Sequence, residues 1–401
     1  MPRYLLVRCL VSLSLMICVA SCAPAPLVPI GQQHSFNAEK DEKRLWNRSE
    51  EEQARLGASG HIYEDPDLAA YVNEVARKLV PERVQDDMVR FKIKMVKNPL
   101  LNAFAYPNGA IYIHTGILTR MENEAQLAAL LGHEMTHVTH RHAVLGFRNL
   151  QKKTAIMATL QVAAIPFGVY GSVATLLGTV GGMAAISGYS QEMESEADRV
   201  GMAMMVKAGY DPSEAPRLFE HIKRDIEEYK IKEPFFFGSH PKINDRIESF
   251  SHILESEYSG QKNGKDEVER FAEKVQPLLL DNAFMDMSLG RYGPAQRAVE
   301  RFLRREPRSA RGHFALGEVF RQNNGAGDMD RAEQEYKLAL EYSPSYPEPY
   351  RTLGILYYKQ SRWKESERML DKYLSLAPSA PDKGYVEQYL EEIKAKTGGG
   401  G

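Results

Sequence analysis

Apolar positions in the first third of the chain recur with the periods of helices and strands. Residues 66–80 carry apolar side chains at helical spacing and predict an amphipathic helix. Residues 90–97 alternate apolar with polar side chains, which is typical of a β-strand. Two short apolar runs, 104–106 and 110–114, are separated by Pro-Asn-Gly at 107–109, a sequence typical of a hairpin turn. A small sheet that contains an antiparallel hairpin is therefore predicted.

A long uncharged stretch lies in the middle of the chain. No Asp, Glu, Lys or Arg occurs between Lys153 and Glu192, and a stretch of this length could cross a bilayer. Pro166 and several glycines interrupt it, and both residue types break helices. The pattern favours two apolar helices that pack over the preceding domain or rest on a membrane surface. A true transmembrane span is the alternative.

The last third of the chain repeats a helical pattern. Four sets of residues recur with spacings of 37 and 34 positions, namely Tyr292, Met329 and Trp363; Ala295, Ala332 and Ser366; Leu303, Leu340 and Leu374; and Pro307, Pro344 and Pro378. A 34-residue helical period that ends in proline resembles the tetratricopeptide repeat, here with an insertion at 324–327. An unrelated helical bundle is the alternative.

The N-terminus resembles a bacterial export signal. Arg3 and Arg8 precede a short apolar run at 10–20, which is too short for a stable transmembrane helix. The run ends in Val-Ala-Ser before Cys22, and this resembles the lipobox of bacterial lipoproteins. Cys22 would then be the lipidated first residue of a periplasmic protein anchored to the outer membrane. A plain signal peptide with an incidental cysteine is the alternative.

Composition excludes two classes of binding site. The 401 residues carry a formal net charge of −2 and no basic stripe, so nucleic acid is not expected as a partner. Cys9, Cys18 and Cys22 all lie within the signal or at its end, so the mature chain would have no disulfide and no thiolate ligand. Any metal must therefore be bound by His and carboxylate side chains.

A candidate metal site lies on a helix predicted over residues 122–144. His133 and His137 are four residues apart, so their imidazoles point the same way and can share one ion. Zinc accepts such ligands in tetrahedral geometry and keeps one position for water. Glu134 lies at the rim of the same face and can take a proton from that water. On the same helix, His142 would project from the opposite face.

Several residues compete for the third ligand position. The metzincin pattern requires glycine at 140 and histidine at 143, but the chain has His140 and Ala143. His140 would lie about 10 Å along the helix from His133, too far to share its ion. Glu194 and Asp198, again four apart, begin another predicted helix, where Glu194 could bind the metal and Asp198 could orient a ligand imidazole. A solvated acidic first turn, favoured by the helix dipole, is the alternative.

The motifs occur in the order seen in metallopeptidase family forty-eight, which includes the CAAX prenyl proteases, HtpX and the Oma-type proteases. The segments that carry the resemblance are Asn102-Ala103-Phe104, the strand at 110–114, His133-Glu134-Met135-Thr136-His137, Arg141-His142 and Glu194-Ser195-Glu196-Ala197-Asp198. The likeness covers residues 45 to about 255. It implies one zinc ion per chain with His133, His137 and Glu194 as ligands, and Glu134 as the catalytic base.

The helical repeats narrow the resemblance to the BepA-like branch of that family. Ser239-His240-Pro241, followed by Arg246, resembles a segment of that branch whose histidine can occupy the water position on zinc and hold the enzyme shut. The resemblance thus implies an inhibitory fourth ligand at His240, and an ordinary loop residue is the alternative. Arg246 is expected to contact a carboxylate or stabilise the oxyanion. The lipobox departs from the branch, which has a plain export signal.

The predicted fold is α+β, with a mainly helical gluzincin protease domain that contains a small β-sheet, followed by an all-α tetratricopeptide-repeat domain. The expected boundaries are a signal peptide at 1–21, a tether at 22–44, the protease domain at 45–257, a linker at 258–275, the repeats at 276–397 and a disordered glycine tail at 398–401.

Substrate recognition is expected to use a strand that consists of Ala110, Ile111, Tyr112, Ile113 and His114. As an edge strand beside the motif helix, it could pair with an extended or unfolded polypeptide through backbone hydrogen bonds. An ordinary interior strand is the alternative. The repeat groove is expected to hold a protein partner, and the lipid anchor points to the outer-membrane assembly machinery.

The sequence therefore predicts an envelope zinc endopeptidase that hydrolyses misfolded or misassembled outer-membrane proteins. One alternative is an assembly factor or chaperone that works through its repeats, with proteolysis secondary or silenced by His240. An intramembrane prenyl-type protease would need several membrane spans, and the sequence offers one candidate.

Overall fold

The computed structural model describes residues 27–32, 36–84, 88–156, 189–229, 243–261 and 264–398. Cys22, His240 and the uncharged residues 157–188 lie outside these ranges, so lipidation, the inhibitory ligand and the apolar helices stay predictions. Among the helices of the described ranges, none combines the length and the apolar character needed to cross a bilayer.

The N-terminal domain is mainly helical and contains one small sheet. Its helices are α1 (Lys40–Ala58), α2 (Pro66–Leu79), α3 (Thr115–Arg120), α4 (Glu124–Thr139), α5 (His142–Ile156), α6 (Gln191–Lys207), α7 (Glu214–Tyr229) and α8 (Ile243–Glu257), and its strands are β1 (Lys92–Val96), β2 (Ala103–Ala105) and β3 (Ala110–His114). The predicted helix at 66–80, strand at 90–97 and hairpin at 104–114 are confirmed.

The three strands form a mixed sheet in the order β1-β3-β2. β3 pairs in parallel with β1 and antiparallel with β2. The prediction that Ala110, Ile111, Tyr112, Ile113 and His114 form an edge strand is therefore wrong, because a neighbouring strand occupies each side of β3. The edges of the sheet are β1 and β2.

The central strand is buried on both faces, which explains its uninterrupted apolar sequence. Ile111 and Ile113 point into the main core, which also contains residues of α2 and α4. On the opposite face, Tyr112 stacks on Phe104 with ring centroids 5.4 Å apart. This second face is covered by α1 through Leu56. The sheet is thus enclosed between two layers of helix.

The C-terminal domain is all-helical, as the repeat pattern predicted. Its helices are α9 (Val268–Ser288), α10 (Tyr292–Arg305), α11 (Ala310–Asn323), α12 (Asp328–Tyr342), α13 (Pro347–Lys359), α14 (Trp363–Leu376) and α15 (Lys383–Gly398). The repeated positions Ala295, Ala332 and Ser366 are all fully buried. At Gly317, a Cβ would lie 2.5 Å from the ring of Tyr336, so paired helices pack closely there. The α+β fold with a repeat domain is confirmed.

The connection between the domains is shorter than the predicted linker at 258–275, because α9 begins at Val268. Backbone hydrogen bonds hold this connection against the N-terminal domain. The Lys265 amide donates to the Gly209 carbonyl at 2.9 Å, and the Asp211 amide donates to the Lys265 carbonyl at 3.1 Å. The repeats therefore dock on the N-terminal domain instead of hanging from a free tether.

A buried ion network closes the junction between the domains. Arg120, the last residue of α3, pairs with Asp225 of α7 at 3.0 Å and with Asp286 of α9 at 3.1 Å. Arg297 of α10 also pairs with Asp225, and Arg291 pairs with Asp286 at 3.3 Å. Buried ion pairs add little net stability, but an arrangement that separates them leaves charges unpaired. The network therefore favours one orientation of the repeats.

His114 gives the fold a testable pH dependence. It is 4% exposed, and burial lowers its pKa to about 4. The unfolded chain takes up this proton near pH 6.5, so the free energy of unfolding falls as the pH drops from there to about 4. The free energy of unfolding of the wild type should fall by an amount on the order of 3 kcal/mol across this interval. We expect His114→Gln to lack this decrease, and urea unfolding at a series of pH values measures it. Identical pH profiles for both proteins would contradict this prediction.

Candidate metal centre

Two capped helices carry the candidate metal ligands. α4 begins after Asn123, whose side chain accepts a hydrogen bond from a first-turn amide at 2.9 Å. α6 begins after Ser190, whose hydroxyl caps it in the same way. His133 and His137 lie one turn apart on α4, and Glu194 lies in the first turn of α6. The caps thus fix where each helix starts and which side chains face the other helix.

The two helices cross in direct backbone contact at two glycines. A Cβ on Gly132 would lie 2.7 Å from the carbonyl oxygen of Gly201, and a Cβ on Gly201 would lie 2.6 Å from the amide nitrogen of His133. Neither position has room for a side chain, so the backbones approach closely. Because Gly132 precedes His133 and Gly201 follows Glu194 by two turns, this contact brings the ligands of both helices together.

The spacing of the ligand atoms suits tetrahedral coordination of one ion. The Nε2 atoms of His133 and His137 are 3.0 Å apart, and each lies 3.5 Å from a carboxylate oxygen of Glu194. Two ligand atoms each about 2.1 Å from a zinc ion are about 3.4 Å apart. All three side chains are buried, and no other such trio of His, Cys, Asp or Glu occurs among the described residues. The residues therefore fit a zinc ion.

Glu134, the predicted catalytic base, directly follows the ligand His133 on α4. Glu134 is buried. Burial raises the pKa of Tyr189, and the negative charges of Glu134 and Glu194 raise it further. The ring of Tyr189 stacks on His137 with centroids 4.0 Å apart and an interplanar angle of 17°. Tyr189 therefore covers His137 on the side where the charges of Glu134 and Glu194 act.

Asp198 and Arg246 lie behind the first histidine. The Nδ1 of His133 is 2.9 Å from Oδ1 of Asp198, and a guanidinium nitrogen of Arg246 forms an ion pair with the same oxygen at 2.7 Å. Arg246 lies 3.6 Å from the Glu194 carboxylate and packs over the ring of Phe219 at 4.5 Å. Asp198 thus holds the His133 ring with its Nε2 toward the ligand cluster, and Arg246 balances the charge of both carboxylates.

The chain folds back on the ligands directly after α4. This helix ends at Thr139, and Arg141 adopts a left-handed φ of 60° before α5 begins. The expectation of one helix over 122–144 with His142 on its far face is therefore wrong. The turn brings Nδ1 of His142 to 2.8 Å from Nδ1 of His137, and Nε2 of His142 to 3.0 Å from Glu196. Burial lowers the pKa of His142.

Other residues near the site do not join the ligand cluster. His140 contacts the Thr139 hydroxyl at 3.1 Å and lies 3.9 Å from Glu196. The left-handed Arg141 is held by Glu42 of α1, whose Oε1 accepts from Nε at 3.0 Å. Nothing local in the sequence indicates this contact, because 99 positions separate the two residues.

Sequence reasoning missed the two glycines of the helix crossing and the stacked Tyr189. Gly132 and Gly201 lie inside predicted helices, far from turn residues, and on the same two helices as the ligands. A glycine in such a place is a usable indication of close helix contact. Tyr189 lies near the end of the uncharged stretch, and no pattern in the sequence assigns it to the site.

The helix crossing predicts the effect of adding one methyl group. We expect Gly201→Ala to lower the free energy of unfolding by about 1–3 kcal/mol, because the new Cβ overlaps backbone atoms of α4. Zinc affinity should fall at least about tenfold as the helices separate, which corresponds to about 1.4 kcal/mol. Gly57→Ala is the control, because nothing lies within 4 Å of that Cβ. Equal stability and zinc affinity in the two variants would refute a close crossing.

Comparison with known families agrees with this geometry. Residues 64–254 match the model of peptidase family M48, and residues 286–348 and 324–382 match two models of the tetratricopeptide repeat. The family predicted from the motifs is thereby confirmed. The match to the peptidase family spans the sheet, both ligand helices and Arg246.

Several curated proteins are similar to up to about half of the chain. The beta-barrel assembly-enhancing protease of Escherichia coli (strain K12) is 28% identical over 200 residues, which are 48% of this chain and 40% of the relative. Its counterpart from Yersinia pestis is 29% identical over 205 residues, with the same coverage. The mitochondrial metalloendopeptidase OMA1 of Arabidopsis thaliana is 31% identical over 134 residues, 33% of this chain and 26% of the relative.

The chain thus spans about 40% of the length of the first two relatives. The family match, the ligand trio and the names of the relatives agree on one type of domain. Residues 64–254 therefore form a domain of peptidase family M48, and tetratricopeptide repeats follow it.

Proposed function

We propose that this protein is a zinc-dependent endopeptidase of the bacterial cell envelope that hydrolyses misfolded or misassembled outer-membrane proteins. The observation that carries the proposal is the convergence of His133, His137 and Glu194 beside Glu134 in a buried site. Two imidazoles and one carboxylate are a ligand set that zinc favours, and they leave one position for water.

The residues of the site have distinct tasks in hydrolysis. Bound zinc would supply a Lewis acid that lowers the pKa of water and polarises the scissile carbonyl. Glu134 takes the proton of the attacking water and passes it to the leaving amine. Asp198 and Arg246 keep the His133 ring in one orientation. Because these side chains are shielded from solvent, their charges interact strongly with each other.

Substrate pairing is assigned to β2, because it is an edge of the sheet and packs beside α4. The hydrogen bonds from the His114 amide to the Asn102 carbonyl and from the Tyr106 amide to the Ala110 carbonyl show which residues face β3. Paired residues alternate in antiparallel strands, so Ala103 and Ala105 direct their N–H and C=O groups away from β3. Both residues are buried, so this edge must be uncovered before a peptide binds.

Removal of one outward amide tests this assignment. Ala105→Pro lacks the donor but leaves the bonds between β2 and β3 in place. We expect KM for an extended peptide to rise about tenfold, since one buried hydrogen bond is lost. Ala105→Ser, which keeps the amide, is the control. Equal KM values in both variants, with zinc content unchanged, would exclude β2 as the substrate strand.

The envelope setting rests on the export signal at 1–21, the lipobox at Cys22 and the names of the relatives. The repeats provide a place for a protein partner from the outer-membrane assembly machinery. A groove of about 730 Å³ lies between α11 and α13. Phe314 and Ile355 give it apolar surface, and charged residues of both signs line it, among them Arg351 and Glu348. An extended segment of a partner fits a groove of this kind.

A second candidate is an assembly factor that acts through this groove, with proteolysis secondary. It is favoured by the docking of the repeats through buried ion pairs, because a fixed groove suits a binding role. His240 would silence the protease in this case. An assay of casein hydrolysis by His240→Ala tests that role.

Glu134→Gln separates the two candidates. We expect casein hydrolysis to fall about 10²- to 10⁴-fold because the general base is lost, while one zinc ion per chain stays bound. Metal analysis of the mature protein and of His133→Ala provides the comparison, since the second variant should lose zinc. Undiminished hydrolysis by Glu134→Gln would contradict the proposed mechanism. Intact outer-membrane assembly in cells that carry it would favour the assembly factor.

A further inference from the structure

A chain of hydrogen bonds leads from the ligand His137 to the protein surface. His137 Nδ1 lies 2.8 Å from His142 Nδ1, and His142 Nε2 lies 3.0 Å from a carboxylate oxygen of Glu196. His137 and His142 are buried, whereas the Glu196 side chain is 50% exposed. The chain therefore starts at the ligand cluster and ends in solvent.

The chemistry of the ligand fixes where the protons lie in this chain. His137 faces the ligand cluster with Nε2, which must keep its lone pair for the metal. Its proton is then on Nδ1, and His142 Nδ1 must accept it. The proton of a neutral His142 is consequently on Nε2, where it is donated to Glu196. Each nitrogen has one role, and the three residues form a directional chain.

The two histidine ligands are supported in different ways. His133 meets the buried carboxylate of Asp198 directly, and Arg246 holds that carboxylate in place. His137 reaches its carboxylate only through the ring of His142. A partner that accepts the free N–H of a ligand histidine fixes its ring and raises its basicity.

The backbone around His142 is built for this contact. Arg141 adopts a left-handed φ of 60°, which costs a residue with a side chain about 1 kcal/mol. Glu42 offsets this cost with two hydrogen bonds to the buried guanidinium group. The turn is therefore held in place from α1, and it places His142 against His137.

We propose that His142 and Glu196 are positioning residues for the metal ligand His137 and that together they set the metal affinity. The inference rests on the proposed zinc site. The Glu196 carboxylate accepts the proton on Nε2 of His142 and so makes Nδ1 of His142 a stronger hydrogen-bond acceptor. His142 in turn fixes the ring of His137. Neither residue contacts the metal or the substrate.

Zinc dissociation constants of the full chain, measured by competition with a chromogenic chelator, test the relay. His142→Ala should weaken zinc binding about 10- to 100-fold, and Glu196→Ala about tenfold. Glu192→Ala is the matched control, because Glu192 is an exposed acid in the first turn of the same helix. It should bind zinc as the wild type does.

His142→Asn distinguishes the relay from a merely structural role. Its side-chain oxygen can take the place of Nδ1 and accept from His137, but it cannot reach Glu196. Zinc affinity should fall only about as far as in Glu196→Ala, less than in His142→Ala, and Glu196→Ala should have no further effect in this background. This variant also decides the matter if His142→Ala does not fold.

Two outcomes would overturn different claims. If His142→Ala and Glu196→Ala bind zinc as tightly as Glu192→Ala, or if Glu196→Ala has its full effect on top of His142→Asn, the relay is refuted. If the wild-type chain binds no zinc, the proposed function fails instead. The melting temperature of the metal-free variants shows whether a lost affinity reflects lost folding.

Discussion

The backbone contact between α4 and α6 is the constraint on which the rest of the site depends. Gly132 and Gly201 leave no room for a Cβ, so two helices from distant parts of the chain meet without intervening side chains. Only this close approach lets His133 and His137 share the space in front of Glu194. The sheet and the outer helices then keep the two helices in that position by burying them on their remaining sides.

The buried carboxylates in and around the ligand trio need positive charge and hydrogen-bond partners, and the surrounding residues provide both. Glu194, Glu134 and Asp198 bring three carboxylates into a site with little solvent. Arg246 supplies positive charge beside two of them, and its guanidinium group packs over Phe219. The imidazoles use their second nitrogens to contact side chains behind them, so each ring has a fixed orientation. The site is therefore preorganised for a divalent cation.

The metal centre and the repeats are parts of one packed body. β3 leads directly into α3, which ends at Arg120 in the ion network with α7 and α9. Arg301 of α10 adds hydrogen bonds to the carbonyl groups of Thr119 and Met121 at 3.1 and 2.7 Å. Burial lowers the pKa of Arg301 to about 10, still high enough to keep it charged at neutral pH. A partner in the repeat groove would thus be held at a set distance from the protease domain.

The sequence by itself determined the elements whose evidence is local: the helix at 66–80, the hairpin, the repeat period and the pair His133 and His137, whose spacing follows from one helix. Tertiary structure decided what depends on contacts between distant segments. It placed β3 in the centre of the sheet, because a run buried on two faces looks the same in sequence as an apolar edge. It also turned His142 toward His137, because the left-handed Arg141 is held by Glu42, and no local pattern encodes a contact across 99 positions.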